Sequence, residues 1–450
     1  MKEPQDKPKR GWCVATVNDV GKVATGNTPP KKEKGNYGTY IPFVKPPELL
    51  DCAIDGAADC LSENGAKKGR IATAYSVLVS CIGNLGKTGI NSTPVAFNQQ
   101  INAIQPYDEI DARFVFYQAQ SPLFRSQLEE FSSATTISIV NKGNFEKLRF
   151  LLAPVNEQKR IVAKIEQLFS ELDEGIEVLK TARKQLTVYR QAVLDHCLRP
   201  TEDQSVEYRF LGDVIGPIQQ GWSPKCDLNK APDDDEWAII KTTVVQPMQY
   251  VPNECKPLPK ELEPRPGIEI RDGDLLMTRK GPRPRTGVVC LVRGARKKSM
   301  LCDTVYRFRA DETQLSPEYL EIALNSPRVV AEINMKKSGI NESGISLNHG
   351  KIKSVQVPVA TTKKRQNDIV STVREKFSVI EKVDQELEAQ LSIAKVLRQS
   401  VLKAAFSGHL VKQDPDDEPA SELLQKIRAE KKKGENAKKS KKKARRKNVA

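Results

Sequence analysis

The chain is written twice. A unit of about two hundred residues recurs, and each copy runs into a heptad-patterned helix. The first helix carries Arg190-Gln191-Ala192-Val193-Leu194 and the second Arg398-Gln399-Ser400-Val401-Leu402, 208 positions later. The same offset pairs Phe169 with Phe377, Ile161 with Ile369 and Leu179 with Leu387. Upstream the offset shrinks. It is 204 for Ala153-Pro154-Val155 against Val357-Pro358-Val359, for Asn144 against Asn348 and for Phe97 against Leu301. It is 198 for Leu78 against Leu276 and Gly83 against Gly281, and 195 for Gly26-Asn27-Thr28-Pro29 against Gly221-Trp222-Ser223-Pro224. On this alignment the second copy has four extra residues just after its proline. Offsets drifting by loop-sized steps describe duplication of a whole domain with its helix, and the period is too long for a solenoid.

Two related modules joined by two helices need real cores, and 38% apolar with 29% charged residues can build them. No run approaches the ~18 apolar residues of a membrane span, and the polar start, Met1 to Arg10, does not read as a secretory signal. Nine cysteines, odd in number and without a Cys-x-x-Cys pair, argue for reduced thiols and a cytoplasmic setting rather than zinc or disulfides. The net charge of +15 is concentrated at the end: Lys431 to Lys447 holds eleven Lys or Arg against one Glu, +10 in all. The body is close to neutral, with cations clustered at Arg279-Lys280-Gly281-Pro282-Arg283-Pro284-Arg285, at Arg293 to Lys298, and at Arg307 and Arg309. A neutral module with one basic face is compatible with DNA binding without demanding it.

From Trp12 to Leu152 short β-type runs alternate with turn signals, followed by a helical stretch Ala112 to Glu130 interrupted at Ser121-Pro122. The second copy repeats the order, with its helical break at Ser326-Pro327. The fold class expected is α+β: two modules, 1–153 and 201–357, joined by long helices at 154–200 and 358–410, with 411–450 an acidic linker, a short helix around Ala420 to Ala429 and a disordered lysine tail. In the helices Ile161, Ile165, Leu168, Leu172, Gly175, Leu179, Ala182, Leu186, Tyr189 and Val193 step by four and three. Ile369, Val373, Ile380, Val383, Leu387, Ala394, Leu397 and Val401 keep the register, with Phe377 and Leu391 one position along from breaks at Lys376 and Gln390. If the two seams face each other, connectivity makes the pair an antiparallel coiled coil, and residues 161–194 at ~1.5 Å each form a rod of about 50 Å.

Catalysis finds no convincing home. Gly83-Asn84-Leu85-Gly86-Lys87-Thr88 lacks the leading glycine of a phosphate loop, having Cys81 there, and no helix can start at Gly89 to Pro94. His349, in Asn348-His349-Gly350 with Phe145 as counterpart, reads as packing or surface. His196 beside Cys197 is a weak nucleophile pair, and Asp233-Asp234-Asp235-Glu236 reads as a solvated loop. Binding is better supported. Val79 to Thr88 and Met277 to Thr286 share a strand-to-loop frame but carry different side chains. Arginine forks suit guanine edges and phosphates, and amides such as Asn98-Gln99-Gln100 suit adenine edges, although a polar Gly/Pro-rich loop is equally a plain solvated turn.

In Gly26 to Pro29 with Ile41-Pro42-Phe43-Val44-Lys45, Val77 to Gly86, Phe97 to Ile104, Pro154 to Val162, Tyr189 to Leu194 and Leu402 to Leu410, the chain resembles the specificity subunits of Type I restriction–modification systems. The likeness covers nearly everything but the lysine tail. It departs at Ala360-Thr361-Thr362-Lys363-Lys364-Arg365-Gln366, where Asn-Glu-Gln-Lys-Arg is expected. The resemblance implies two target-recognition domains, each gripping half of a split double-stranded DNA sequence, with the helix pair setting the spacer. It implies that modification subunits, two of them and using S-adenosylmethionine, and ATP- and Mg2+-dependent restriction subunits dock on a chain with no active site or cofactor of its own. The DNA-contacting residues expected are Lys45, Ser80, Asn84, Lys87 and Thr88 in the first module, and Lys241, Arg279, Lys280, Arg283 and Arg285 in the second. Arg190, Gln191, Arg398 and Gln399 are expected to dock subunits. The competing readings are a coiled-coil scaffold with protein- or glycan-binding modules, touching DNA only through its tail, and an enzyme with an unrecognised site.

Overall fold

A three-residue apolar stretch, Val77-Leu78-Val79, sits at the centre of the first module because it is buried on both faces. Val77 and Val79 join the core around Phe114 and Phe150, and Leu78 joins a second core around Phe97 and Ile101. In the second module Leu275 and Met277 pack with Phe308 and Tyr319, while Leu276 faces Ile240 and Leu301. The 198-residue offset thus relates residues that do the same packing.

The computed structural model describes residues 8–33, 35–132, 137–200, 206–227, 230–339 and 341–447, with 434–447 as backbone only. The expected module start at 201, the end of the lysine tail and most of the polar N-terminus lie outside the described residues. The chain divides into two compact units, Met1–Val178 with Gln390–Ala450, and Leu179–Ala389.

In the first unit a five-stranded sheet runs in the order Gly21–Thr25, Ile101–Pro106, Val77–Ser80, Thr88–Asn91, Cys52–Ile54. Only its last pair is parallel. A second sheet orders Asp59–Leu61, Tyr37–Val44, Val95–Phe97 and Ile71–Ala72, with Tyr37–Val44 parallel to Val95–Phe97. The second unit repeats the plan. An antiparallel sheet orders Gln219–Gln220, Val305–Phe308, Leu275–Thr278 and Val289–Leu291, and Ala238–Ile240 lies parallel to Ser299–Met300 and antiparallel to Cys255–Pro257. Each helical break is a fresh start: Ser121 and Ser326 precede prolines that open Pro122–Glu130 and Pro327–Lys336, since proline at the first helical position sacrifices no bonded N–H.

The structure corrects the repeat alignment in one stretch. The residue answering Asn348 is Asn141, not Asn144: each caps a short helix, accepting from Lys351 N and Asn144 N at 2.9 Å. The counterpart of Phe145 is therefore buried Ile352 rather than His349. The prolines also part company. Pro154 immediately precedes the helix Val155–Cys197, whereas Pro358 lies within the strand Gln356–Ala360, in a two-stranded ladder with Val206–Phe210. The second helix begins later, at Lys363, so a boundary at 357/358 would cut that strand. Gln158 and Gln366 restore the 208 offset. Both are buried and donate to the carbonyls of Ala153 (2.8 Å) and Ala360 (3.1 Å), anchoring each helix start despite its changed sequence.

In the second unit the helices run antiparallel: as the first rises through Arg183, Arg190 and Cys197, its partners fall through Asp384, Glu381 and Arg365. In the first unit Ile161, Ile165 and Phe169 share a core with Leu402, Ala405 and Phe406. The seam is narrower than its heptads. Gly175, Tyr189, Val383 and Leu397 are exposed, and Phe169, not Leu168, is the buried residue of its pair. A 3.6-residue helix drifts off a 3.5-residue stripe, so a heptad pattern overstates what stays covered.

The last helix, Ala420–Lys447, extends well past the Ala429 expected from sequence. Ala420, Leu423, Leu424 and Ile427 are buried in the first module's core. Arg428 forks onto Asp19 at 3.0 and 2.9 Å, Arg160 reaches Asp417 at 2.5 Å, and Ala420 N donates to Gly11 O at 2.8 Å. The acidic stretch expected to be a linker and the helix after it thus form a clasp on the first module.

Candidate nucleic-acid interface

Both variable loops are held by one device. Ser80 is fully buried; its hydroxyl donates to Asn84 O at 2.6 Å and accepts from Lys87 N at 2.9 Å. Thr278, its repeat partner, donates to Arg285 O at 2.5 Å and accepts from Val288 N at 2.9 Å. The hydroxyl spans seven residues in the first loop and ten in the second, so the frame stays fixed while length and side chains vary. Gly83 and Gly86 take φ near +77°, the left-handed region that favours glycine. Thr88 then opens a strand, not the helix a phosphate loop requires.

Each loop is closed from outside by a segment not singled out in the sequence. Val140 N donates to Cys81 O and Gly83 N to Ser138 O, both at 2.9 Å. In the second unit Leu347 N donates to Arg279 O, and Lys280-Gly281 pairs with Ile345-Ser346. A third element joins at the same end. In the first unit Gln100 O accepts from Cys81 N, Asn27 N donates to Phe97 O, Thr28 Oγ1 donates to Gln99 and Asn27 Nδ2 to Lys68 O. In the second, Trp222 N donates to Leu301 O and Asp303 N to Ser223 Oγ. The Arg265 guanidinium lies 3.9 Å from the Trp222 ring, an aromatic platform the sequence flagged only as Gly-Trp-Ser-Pro.

Lys45 and Lys241 sit alike, each directly after the strand of a parallel pair and before a 3-10 turn. Lys45 pairs with Asp59, and Lys241 lies 3.9 Å from Glu254. The Asp59 hydrogen bond pushes the Lys45 ammonium up, and Lys45 holds the exposed Asp59 carboxyl below its usual range. Asn84, Lys280 and Arg283 are exposed and Lys87 half-buried. Thr88 is buried, its hydroxyl donating to Asp51 at 2.8 Å. Arg285 is spent on structure, donating to Gln246 (2.8 Å), Thr242 O (3.1 Å) and Val245 O (2.7 Å). Arg279 lies over Tyr306 at 5.2 Å, and His349 lies edge-on to the same ring at 4.5 Å. Burial and the nearby Arg279 charge lower the His349 pKa.

Among the described residues no His/Cys/Asp/Glu group could hold a metal ion. All nine cysteines are free thiols. Burial raises the Cys197 thiol, the opposite of what a nucleophile needs. No described helix is long and apolar enough to cross a membrane. On the long helices Gln191 is exposed and Gln399 half-exposed, whereas Arg190 and Arg398 stack on Phe377 and Phe169. The repeat-related pairs Val188-Tyr189 and Val396-Leu397 are exposed.

Comparison with known proteins bears on these loops. The family model described as the Type I restriction modification DNA specificity domain matches residues 9–180. The specificity subunit of the Type I restriction enzyme EcoEI, from Escherichia coli, is 34% identical over 44% of this chain, which spans only 34% of that protein's length. The EcoKI specificity subunit, from Escherichia coli strain K12, is 25% identical over 94% of this chain and 96% of its own length. A chain solved in work on complex assembly and conformational transition of the type I R-M system superposes with a TM-score of 0.66 at 17% identity. It covers 90% of this chain and 100% of its own length, a likeness of fold.

Proposed function

Given a chain that belongs to the DNA specificity family of Type I restriction–modification systems, we propose that each of its modules reads one half of a bipartite DNA sequence. As a specificity subunit it is a non-catalytic member of its complex. The observation that carries the reading is the shared hydroxyl clamp: Ser80 and Thr278 hold unlike loops in like frames. That is what two readers of two different half-sites require. Asn84, Lys87, Lys280 and Arg283, with Lys45 and Lys241, contact DNA in this proposal. Arg279 joins them from its seat over Tyr306. Ser80, Thr88 and Arg285 act through the loops they brace.

The helix pair sets the interval between half-sites, and the apolar pairs Val188-Tyr189 and Val396-Leu397, with Gln191 and Gln399, dock two copies of one modification subunit. Arg190 and Arg398 keep that surface in register from beneath. S-adenosylmethionine, ATP and Mg2+ belong to the partners, and the assembly works in the cytoplasm. Inserting one heptad after Leu179 and another after Leu387 adds ~10 Å to each helix. The preferred spacer should lengthen by about three base pairs, or binding should be lost, with both half-site sequences unchanged. Undiminished binding to the original spacer would refute the helices' role. A chain cut after Lys431 that bound no duplex would favour the scaffold reading, in which only the tail meets DNA.

A further inference from the structure

Three cations of the proposed DNA face, Lys45, Lys241 and Arg283, each face a carboxylate, and two of those carboxylates come from corresponding strands of the two units. In the first unit Asp59, heading the strand antiparallel to Tyr37–Val44, takes Lys45. In the second unit Glu254, one residue before the strand antiparallel to Ala238–Ile240, faces Lys241. Glu342, in the segment that closes the loop, accepts from Arg283 Nε at 2.9 and 3.1 Å. The carboxylates come from different registers of the corresponding strands, Asp59 opposite Phe43 and Glu254 one step before the Cys255–Ile240 pair, so direct copying of one residue does not explain the pairing.

We propose that Asp59, Glu254 and Glu342 are built-in competitors for DNA phosphate, which suppress binding to arbitrary sequence. The proposal rests on the DNA-reading function above. Exposed ion pairs are weak, so exchanging a carboxylate for a phosphate is nearly neutral. Without the carboxylate, each cation would add its full counterion-release contribution on every sequence alike. With it, net affinity depends on base contacts, which only a matched half-site supplies. The pairs also hold flexible side chains in place before DNA arrives.

The test uses the full-length chain with Asp59→Asn, Glu254→Gln or Glu342→Gln. Each is near-isosteric, and the site is exposed enough that folding is spared. The probe is a random duplex of about 40 base pairs, beside one carrying the sequence methylated in the source genome. Each variant should bind the random duplex roughly three- to tenfold tighter at low salt, with a salt slope steeper by about one, and discriminate less. Adding Lys45→Gln to Asp59→Asn should abolish the gain. Glu109→Gln supplies the same charge change beyond the opposite end of the Ile101–Pro106 strand and should gain less. Random-duplex affinity that is unchanged, or raised no more than by Glu109→Gln, overturns the proposal while leaving DNA reading intact. A parent chain that fails to prefer the methylated sequence would overturn DNA reading itself.

Discussion

The guanidinium of Arg190 lies 4.6 Å from the ring centroid of Phe377 and 3.4 Å from Glu381. In the first unit Arg398 lies 4.2 Å from Phe169 and 2.8 Å from Asp173. All three members are related by the 208 offset, so duplication preserved an interaction and not only a pattern. Each seat tacks one long helix to the other where the apolar seam is thin.

Replacing Arg190 or Arg398 by Gln should cost about 1 kcal/mol, mostly from the stack, since the ion pairs are half-exposed. Lysine should recover little, because it keeps a charge but not the planar guanidinium. Urea denaturation measures both. Equal midpoints for parent and Arg190→Gln would show that the seat is idle.

Removing the loop clamp should blunt one half-site at a time. Ser80→Ala leaves the Lys87 amide unpaired and Thr278→Val does the same to Val288, each costing ~1–3 kcal/mol. Thr278→Ser keeps the hydroxyl and should retain function. Binding to duplexes altered in one half or the other reads the outcome. Loss of both halves in either single variant would mean the loops are not independent.

Three glycines separate crowding from openness. A Cβ on Gly26 would overlap the carbonyls of Phe97 and Asn98, and one on Gly221 those of Leu301 and Cys302. Backbone cannot yield there without breaking the Asn27–Phe97 and Trp222–Leu301 bonds. Gly26→Ala and Gly221→Ala should each cost about 2 kcal/mol or more. Gly175→Ala, on an open helix surface, should gain about 0.5–1 kcal/mol. Thermal melts of the three should fall on opposite sides of the parent.

The clasp should open in acid. The Arg160 hydrogen bond holds the Asp417 carboxyl below its usual range. Burial opposes the Asp19 charge, but hydrogen bonds from Arg428 and Thr16 outweigh it and lower that pKa too. Groups whose folded pKa is depressed stabilise above their unfolded pKa of about 4, and that stability is lost as pH falls through the folded value. Burial moves neighbouring Glu157 the other way, so it protonates first and relieves its repulsion of Asp417. Protection of the 420–431 amides, relative to their intrinsic exchange at each pH, should hold from neutrality to about pH 4 and fall below. Fast exchange at neutral pH would refute the clasp. Cutting after Lys431 should leave the melt unchanged, whereas cutting after Gly408 strips Leu423, Leu424 and Ile427 from the core and should lower it.

Much of this protein was legible in its sequence because duplication compares the chain with itself. The alignment placed Asn27 on Trp222 and Phe97 on Leu301, and in the fold each of the two amides donates to the carbonyl of its module's partner. Heptad spacing located both long helices, since burial of one face imposes its period on any helix. Other features depended on what meets across space. The prolines at 154 and 358 looked equivalent because a two-residue context cannot tell a helix start from a strand. Ser80, Thr88 and Arg285 looked like DNA contacts because polarity is local, whereas burial and hydrogen-bond partners are set by distant backbone. A short helix around Ala420 to Ala429 is legible, but not what it packs on, because its apolar positions, Leu423, Leu424 and Ile427, acquire meaning only against Trp12 and Phe406. The two modules, their helices and the loops that vary follow from residue pattern alone. Tertiary structure decided which of those loop residues remain free to meet a ligand, because availability is whatever internal packing and pairing leave over.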